Sequence, residues 1–168
     1  MEDIIEALHA DHAKHRALFE RLGATTAAVG EMRARLLTEL DYSLRLHMRF
    51  EEDVLFPALR SGASKATRSS TLEAYAKHEA ARATLNELES VAPDSDTWQS
   101  WLKVLHDELE LHMKEEEEEL FSQARRLLSA DTRQLMAAEL RRWQADASDP
   151  SDDLGASEPH HIPLVGLH

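Results

Sequence analysis

Two stretches of the chain carry the residue types of a metal site at the same spacing. Residues 46–56 read LHMRFEEDVLF and residues 111–121 read LHMKEEEEELF. Each has a histidine followed four residues later by a glutamate, His47 with Glu51 and His112 with Glu116. On a helix, residues four apart share one face, with Cβ atoms about 5–6 Å apart. A histidine so placed can ligate one cation while the glutamate bridges it to a second, because a carboxylate offers two anionic oxygens. Each pair also has a partner histidine upstream, His12 for the first and His78 for the second. Each half of the chain therefore reads as a helical hairpin with one histidine on its first helix and HxxxE on its second. Two hairpins related by a pseudo-twofold bring four histidines and two carboxylates to one level of a bundle core.

Cysteine is absent, which excludes a disulfide framework, thiolate-held iron–sulfur clusters, a cysteine nucleophile and cysteine-type zinc sites. Imidazole and carboxylate without thiolate suit iron, manganese or zinc. A lone histidine on an apolar face is ordinarily a hydrogen-bonded core residue. Two buried glutamates on the same seams as four histidines are different, since each needs a cation to offset the cost of burial.

The elements that position these residues follow from apolar spacings of three and four. One seam runs Ile5, Leu8, His12, His15, Phe19, Leu22, and a second Leu37, Leu40, Leu44, His47, Glu51, Val54, Ala58. A third runs Ala74, His78, Ala81, Leu85, Leu88, and a fourth Trp98, Leu102, Leu105, Leu109, His112, Glu116. Capping-box spacings at Asp3 and Glu6, Ser70 and Glu73, and Asp96 and Gln99 mark helix starts. The expected helices cover roughly 3–22, 31–59, 70–91 and 96–128, within a domain spanning 1–130. A shorter helix over 131–147 begins at Asp131 and Gln134 and docks through Leu135, Leu140 and Trp143. Residues 148–168, rich in proline and acid, read as an extended or disordered tail, where His160, His161 and His168 have no fixed geometry.

Composition agrees with an all-α chain. There are only five glycines and five prolines among 168 residues, fewer breakers than a sheet protein needs at its turns. Thirty-two acidic against 19 basic residues give a net charge of −13, which opposes nucleic acid and anionic membranes. No basic, apolar leader opens the sequence and no apolar run is long enough to span a bilayer, so a cytoplasmic location is expected.

Several residues have two readings. His15, one turn from His12, is either a fifth histidine ligand or a donor to one. Tyr75, one turn before His78, is either a proton donor to a metal-bound ligand or a core tyrosine with a satisfied hydroxyl. Phe19 and Phe50 should wall the site. His9 reads as a rim residue, and His106 with Glu110 should face outward. Within the glutamate run, Glu115, Glu117 and Glu118 read as a solvated face, and Glu119 as a rim or supporting carboxylate.

At these residues the chain resembles the hemerythrin-like HHE cation-binding family over about 3–128. The pattern H…HxxxE…H…HxxxE falls on His12, on His47 and Glu51 in HMRFEEDVLFPAL, on His78, and on His112 and Glu116. The resemblance implies an up-down-up-down four-helix bundle holding a non-haem di-iron centre, oxo- or hydroxo-bridged, with the two glutamates as bridges. The invertebrate oxygen carriers similar to this fold have HxxxH on the third helix and HxxxxD on the fourth. Here Arg82 stands four after His78 and Glu116 four after His112, so reversible oxygen carriage is not expected. Bacterial relatives that repair iron–sulfur centres share the four-His, two-Glu set.

The expectation is a di-iron protein that binds or reacts with O2, NO or peroxide as a sensor, scavenger or iron donor in oxidative or nitrosative stress. A peroxidase or catalase-like enzyme, with Tyr75 or His15 as proton donor, is the alternative. A helical interaction module without an essential metal is the third.

Overall fold

The computed structural model describes residues 2–26, 28, 30–61 and 64–146; the expected tail at 148–168 lies outside them. The described residues form helices and turns only, arranged as four antiparallel helices connected up-down-up-down, with a fifth packed alongside.

The first helix, α1 (Ile4–Gly23), starts at Asp3, whose carboxylate accepts the Ile5 amide while Glu6 reaches back to the Asp3 amide. The second rod runs from α2 (Gly30–Phe50) through a π-helical turn at Glu51–Leu55 into α3 (Phe56–Arg60). The third, α4 (Lys65–Ser90), begins five residues before the expected start, because Ser64 caps it through the Thr67 amide. Ser70 is therefore inside the helix, where its hydroxyl donates back to the Ala66 carbonyl. The fourth rod is α5 (Asp96–Glu115), a second π-helical turn at Glu116–Leu120, and α6 (Phe121–Leu127). Its cap is Ser95 rather than Asp96. The last helix, α7 (Ala130–Asp146), starts at Ser129, which accepts the Thr132 amide. At three of the four starts, a serine one or more residues upstream outcompetes the expected capping box.

The two π-helical turns begin on the two seam glutamates. The Phe56 amide bonds back to the Glu51 carbonyl, and the Phe121 amide to the Glu116 carbonyl. Each turn holds one extra residue, a device often found at functional sites. The extra residue shifts the inward face downstream, so Leu55, Phe56 and Leu59 are buried where Val54 and Ala58 were expected.

The interior divides into two apolar clusters. One, built from Leu18, Leu22, Leu40, Leu85, Trp98 and their neighbours, fills one end of the bundle. The other holds Ile4, Leu8, Phe56, Leu59, Phe121 and Leu140 at the opposite end. Between them lies a layer of buried polar residues that includes His12, His47, Glu51, His78, His112 and Glu116.

The fifth helix docks through Met136, Ala137 and Leu140, with Trp143 edge-on to Phe50 at 5.4 Å. Leu135 is 72 % exposed and takes no part in docking. Ion pairs Arg133–Asp3 and Arg141–Glu2 fasten α7 to the start of α1. Among the described residues no helix is long and apolar enough to cross a membrane.

Leu140→Ala should destabilise the fold by about 2–5 kcal/mol, as a fully buried truncation does, whereas Leu135→Ala should stay within about 0.5 kcal/mol of the unaltered chain. Urea titrations of the two variants check the contrast.

Candidate metal centre

Four rods each contribute to one point of the polar layer. His12 comes from α1, His47 and Glu51 from α2 and its π-helical turn, His78 from α4, and His112 and Glu116 from α5 and its π-helical turn. The six form two overlapping groups, His12–His47–Glu51–Glu116 and Glu51–His78–His112–Glu116, with ligand atoms in each group within 4.8 Å of one another. Ligands bonded to one ion at about 2.1 Å sit about 3 Å apart when adjacent and about 4 Å apart when opposite. Both groups fit that span after small contraction, and both contain the same two carboxylates.

The four imidazoles aim their Nε2 atoms inward. Nε2 of His12 lies 3.2 Å from that of His47, and Nε2 of His78 lies 2.8 Å from that of His112. The other nitrogens of His12, His47 and His78 are held from behind. His12 Nδ1 donates to Glu117 at 2.8 Å, and His78 Nδ1 donates to Glu52 at 2.7 Å. His47 Nδ1 reaches Asp11 at 3.4 Å. An ionised carboxylate only accepts, so these contacts place the proton on Nδ1 and leave the Nε2 lone pair facing the centre. In the neutral state, His12 and His47 then point two lone pairs at each other, an arrangement that a cation between them relieves.

The carboxylates give a second test. Both oxygens of Glu51 and both of Glu116 are buried and make no hydrogen bond. Each carboxylate stands only 3.3–3.5 Å from histidine Nε2 atoms. Burial, then repulsion from Glu51, pushes the Glu116 carboxyl well above its ordinary range. Burial and the neighbouring His47 push His12 far down, and burial with His78 lowers His112 in the same way. For His47 and His78 burial also acts downward, but Glu51 with Asp11, and Glu51 with Glu52, outweigh it and raise both. Such a set is poorly satisfied by the protein's own groups and well matched to hard or borderline cations.

The supporting carboxylates show residues that the sequence reading missed. Glu117, expected on a solvated face, is turned inward onto His12, and Glu52 does the same for His78. Each is gripped by an arginine four residues after the histidine that it supports. Arg16 donates to Glu117 at 2.9 Å and to Glu110 at 2.9 Å. Arg82 donates to both oxygens of Glu52 at 2.8 Å. The signal was present twice over, as HxxxR at 12–16 and 78–82 and as a second glutamate after each seam glutamate. The residue that departs from the oxygen carriers, Arg82, thus has a structural task here. Phe121 and Phe56 stack on His12 and His78 at 5.5 and 5.6 Å. They, with Phe50 behind them in the same apolar cluster, wall the layer on one side, and Phe19 belongs to the cluster on the other.

The remaining candidates stand apart from the six. His15 is buried beside His47, ring to ring at 5.2 Å, with Nε2 bonded to Ser43 and Nδ1 unpartnered. Burial pushes it down to about 3, so it is neutral and belongs to neither ligand group. The Tyr75 hydroxyl donates to the Glu52 backbone carbonyl at 2.8 Å, which directs its proton away from the centre. His9 lies at the rim near Glu117. His106 packs against Phe19, and Glu110 holds Arg16. Glu115 pairs with Lys77, Glu118 with Lys114, and Glu119 accepts from Ser70 and Gln123.

A bundle with a buried cluster of histidines and glutamates, three of the four histidines fixed by an outer carboxylate, defines a cation-binding helical protein. The hemerythrin HHE cation binding domain matches residues 3–124, and the chain belongs to that family. A crystal structure of an HHE domain-containing protein from Mycobacterium kansasii is similar in fold, with a TM-score of 0.74 and 22% identity over 87% of this chain and 90% of that one. No curated protein matches the sequence.

Glu52→Gln and Glu117→Gln should each weaken cation binding about 10- to 100-fold by freeing the histidine behind them, and Glu118→Gln should leave it unchanged; chelator competition measures all three. Metal-free protein should respond oppositely at the centre. Because Glu116 is raised above its unfolded value, the stability it confers when protonated is full below about pH 4.5 and declines as pH rises through its folded value. Glu116→Gln should remove that decline and raise metal-free stability by about 1–3 kcal/mol at pH 7, read by denaturant titration at several pH values.

Proposed function

We propose that the chain holds two iron ions side by side and uses them to bind or react with O2, NO or peroxide. The observation that carries this reading is the sharing of Glu51 and Glu116 by both histidine pairs, since two carboxylates common to two ligand groups suit two neighbouring cations. Imidazole and carboxylate ligands suit iron, and manganese or zinc are the substitutes the donor set also accepts. Iron bound there supplies one-electron chemistry and coordination of small diatomic ligands.

The chain's own residues set how such a site behaves. His12 and His47 hold one position, His78 and His112 the other, and the two glutamates carry charge that offsets both cations. His12, His47, His78, His112, Glu51 and Glu116 would hold the ions, and a set of only six side chains for two ions would leave room for water or an added ligand. Phe56 and Phe121 exclude water from one side, while Asp11, Glu52 and Glu117 hold the imidazole tautomers. An open site of this kind favours ligand exchange, and a role as sensor, scavenger or iron donor in oxidative or nitrosative stress follows from it. A peroxidase needs a proton donor facing the open position. The Tyr75 hydroxyl is committed to the Glu52 carbonyl, and His15 sits behind His47, so small-ligand binding is the better supported of the two.

Anaerobic reconstitution followed by metal analysis should give two iron ions per chain; less than one would sink the reading. Absorption spectra before and after O2, NO and peroxide should change with at least one of them. Glu116→Ala should lose iron, and Glu118→Ala should retain it. Chelation should lower the melting temperature of the loaded protein, since cations that bind only the folded state stabilise it.

A further inference from the structure

The pseudo-twofold that builds the centre is broken at its two mouths. A cleft of about 150 Å3 opens between α4 and α5 and reaches His112 and Glu116. Its rim carries Ser70, Glu73, Lys77, Glu115 and Glu119. The twofold places His12 on His78 and His47 on His112, so the same rim on the other hairpin is Ile4, Ala7, Asp11, Phe50 and Val54. That rim is mostly apolar, and α7 covers it. Ile4, Ala7 and Phe50 are fully buried in a cluster with Met136, Ala137 and Leu140, Trp143 stands on Phe50, and Gln144 donates to Asp11 at 3.1 Å. One mouth is covered by a helix, and its counterpart carries three carboxylates and one lysine instead.

At the floor of the polar cleft lies Glu116, 1 % exposed, with both oxygens lacking a hydrogen bond. Lys77 lies across the opening, paired with Glu73 at 3.1 Å on its own helix and with Glu115 on the facing one. We propose that this cleft is the route by which divalent cations reach the centre, with Glu73, Glu115 and Glu119 as passing ligands and Lys77 as a movable bar. The inference rests on the metal-site reading. An arriving cation replaces the ammonium between Glu73 and Glu115, is handed to Glu116, and displaces no packed side chain, whereas the twofold-related path runs under the packed side chains of α7. The cleft is wide enough for several waters, so a partly hydrated ion fits.

The test is the rate at which the metal-free full chain takes up cobalt(II), followed by its visible absorption in a stopped-flow instrument. Lys77→Gln should speed uptake about threefold or more. The triple variant Glu73→Gln, Glu115→Gln, Glu119→Gln should slow it about tenfold, and Ser70→Trp, which fills the mouth from a half-buried position, should slow it similarly. A control triple with the same net charge, Glu20→Gln, Glu31→Gln, Glu108→Gln, should keep the original rate. All variants should reach the same final cobalt content, because none alters the six central residues. Full binding at unchanged rates in the triple variant and in Ser70→Trp would overturn the proposed route alone. No cobalt bound by the unaltered chain would overturn the metal-site reading and the route with it.

Discussion

Two carboxylates, Glu51 and Glu116, are buried within the same few ångströms of interior, where neither finds a hydrogen bond. Isolated ionised groups in such a place cost several kcal/mol each, and a bundle with two well-packed apolar ends has to tolerate that cost in its middle. Much of the surrounding design follows from this constraint. Four imidazoles face the carboxylates, outer carboxylates turn three of them to present lone pairs, and Arg16 and Arg82 hold two of those outer carboxylates in turn. The π-helical turns start on the two glutamates themselves, and so set both the inward aim of Glu51 and Glu116 and the burial of the phenylalanines that follow. The centre is thus ordered around a place whose donor set suits a cation.

Internal duplication gives the centre its symmetry, and departures from that symmetry give it direction. His12, Arg16 and Glu117 are matched by His78, Arg82 and Glu52, residue for residue. Asp11 and Lys77 break the match. One supports His47 and bonds to α7, while the other pairs with glutamates at an open mouth. The fifth helix therefore does more than add apolar contacts, because it packs over one mouth of the buried site while the other keeps a charged rim.

The four rods and six central residues were legible because their spacing follows the helix period and because each half repeats the other. His12, His47, Glu51, His78, His112 and Glu116 meet where the repeat puts them. What escaped the periodicity was local. A π-helical turn inserts one residue into the seam, so Val54 and Ala58 gave way to Leu55, Phe56 and Leu59. Glu117 looked like part of a solvated run because its neighbours are, and only its match with Glu52 distinguishes it. Helix starts at Ser64, Ser95 and Ser129 were missed because several residues nearby have capping chemistry and the backbone chooses among them. Leu135 and Leu140 are both leucines of one helix, and docking geometry alone decides that Leu140 is buried and Leu135 exposed.

The central claim is that the two histidine pairs hold separate cations joined by shared carboxylates. Anomalous diffraction from crystals of the iron-loaded protein, recorded on both sides of the iron edge, tests it most directly. The account predicts two peaks in the bundle interior, one beside His12 and His47 and one beside His78 and His112, each in contact with both Glu51 and Glu116. A single peak, or iron bound only outside this layer, would contradict it.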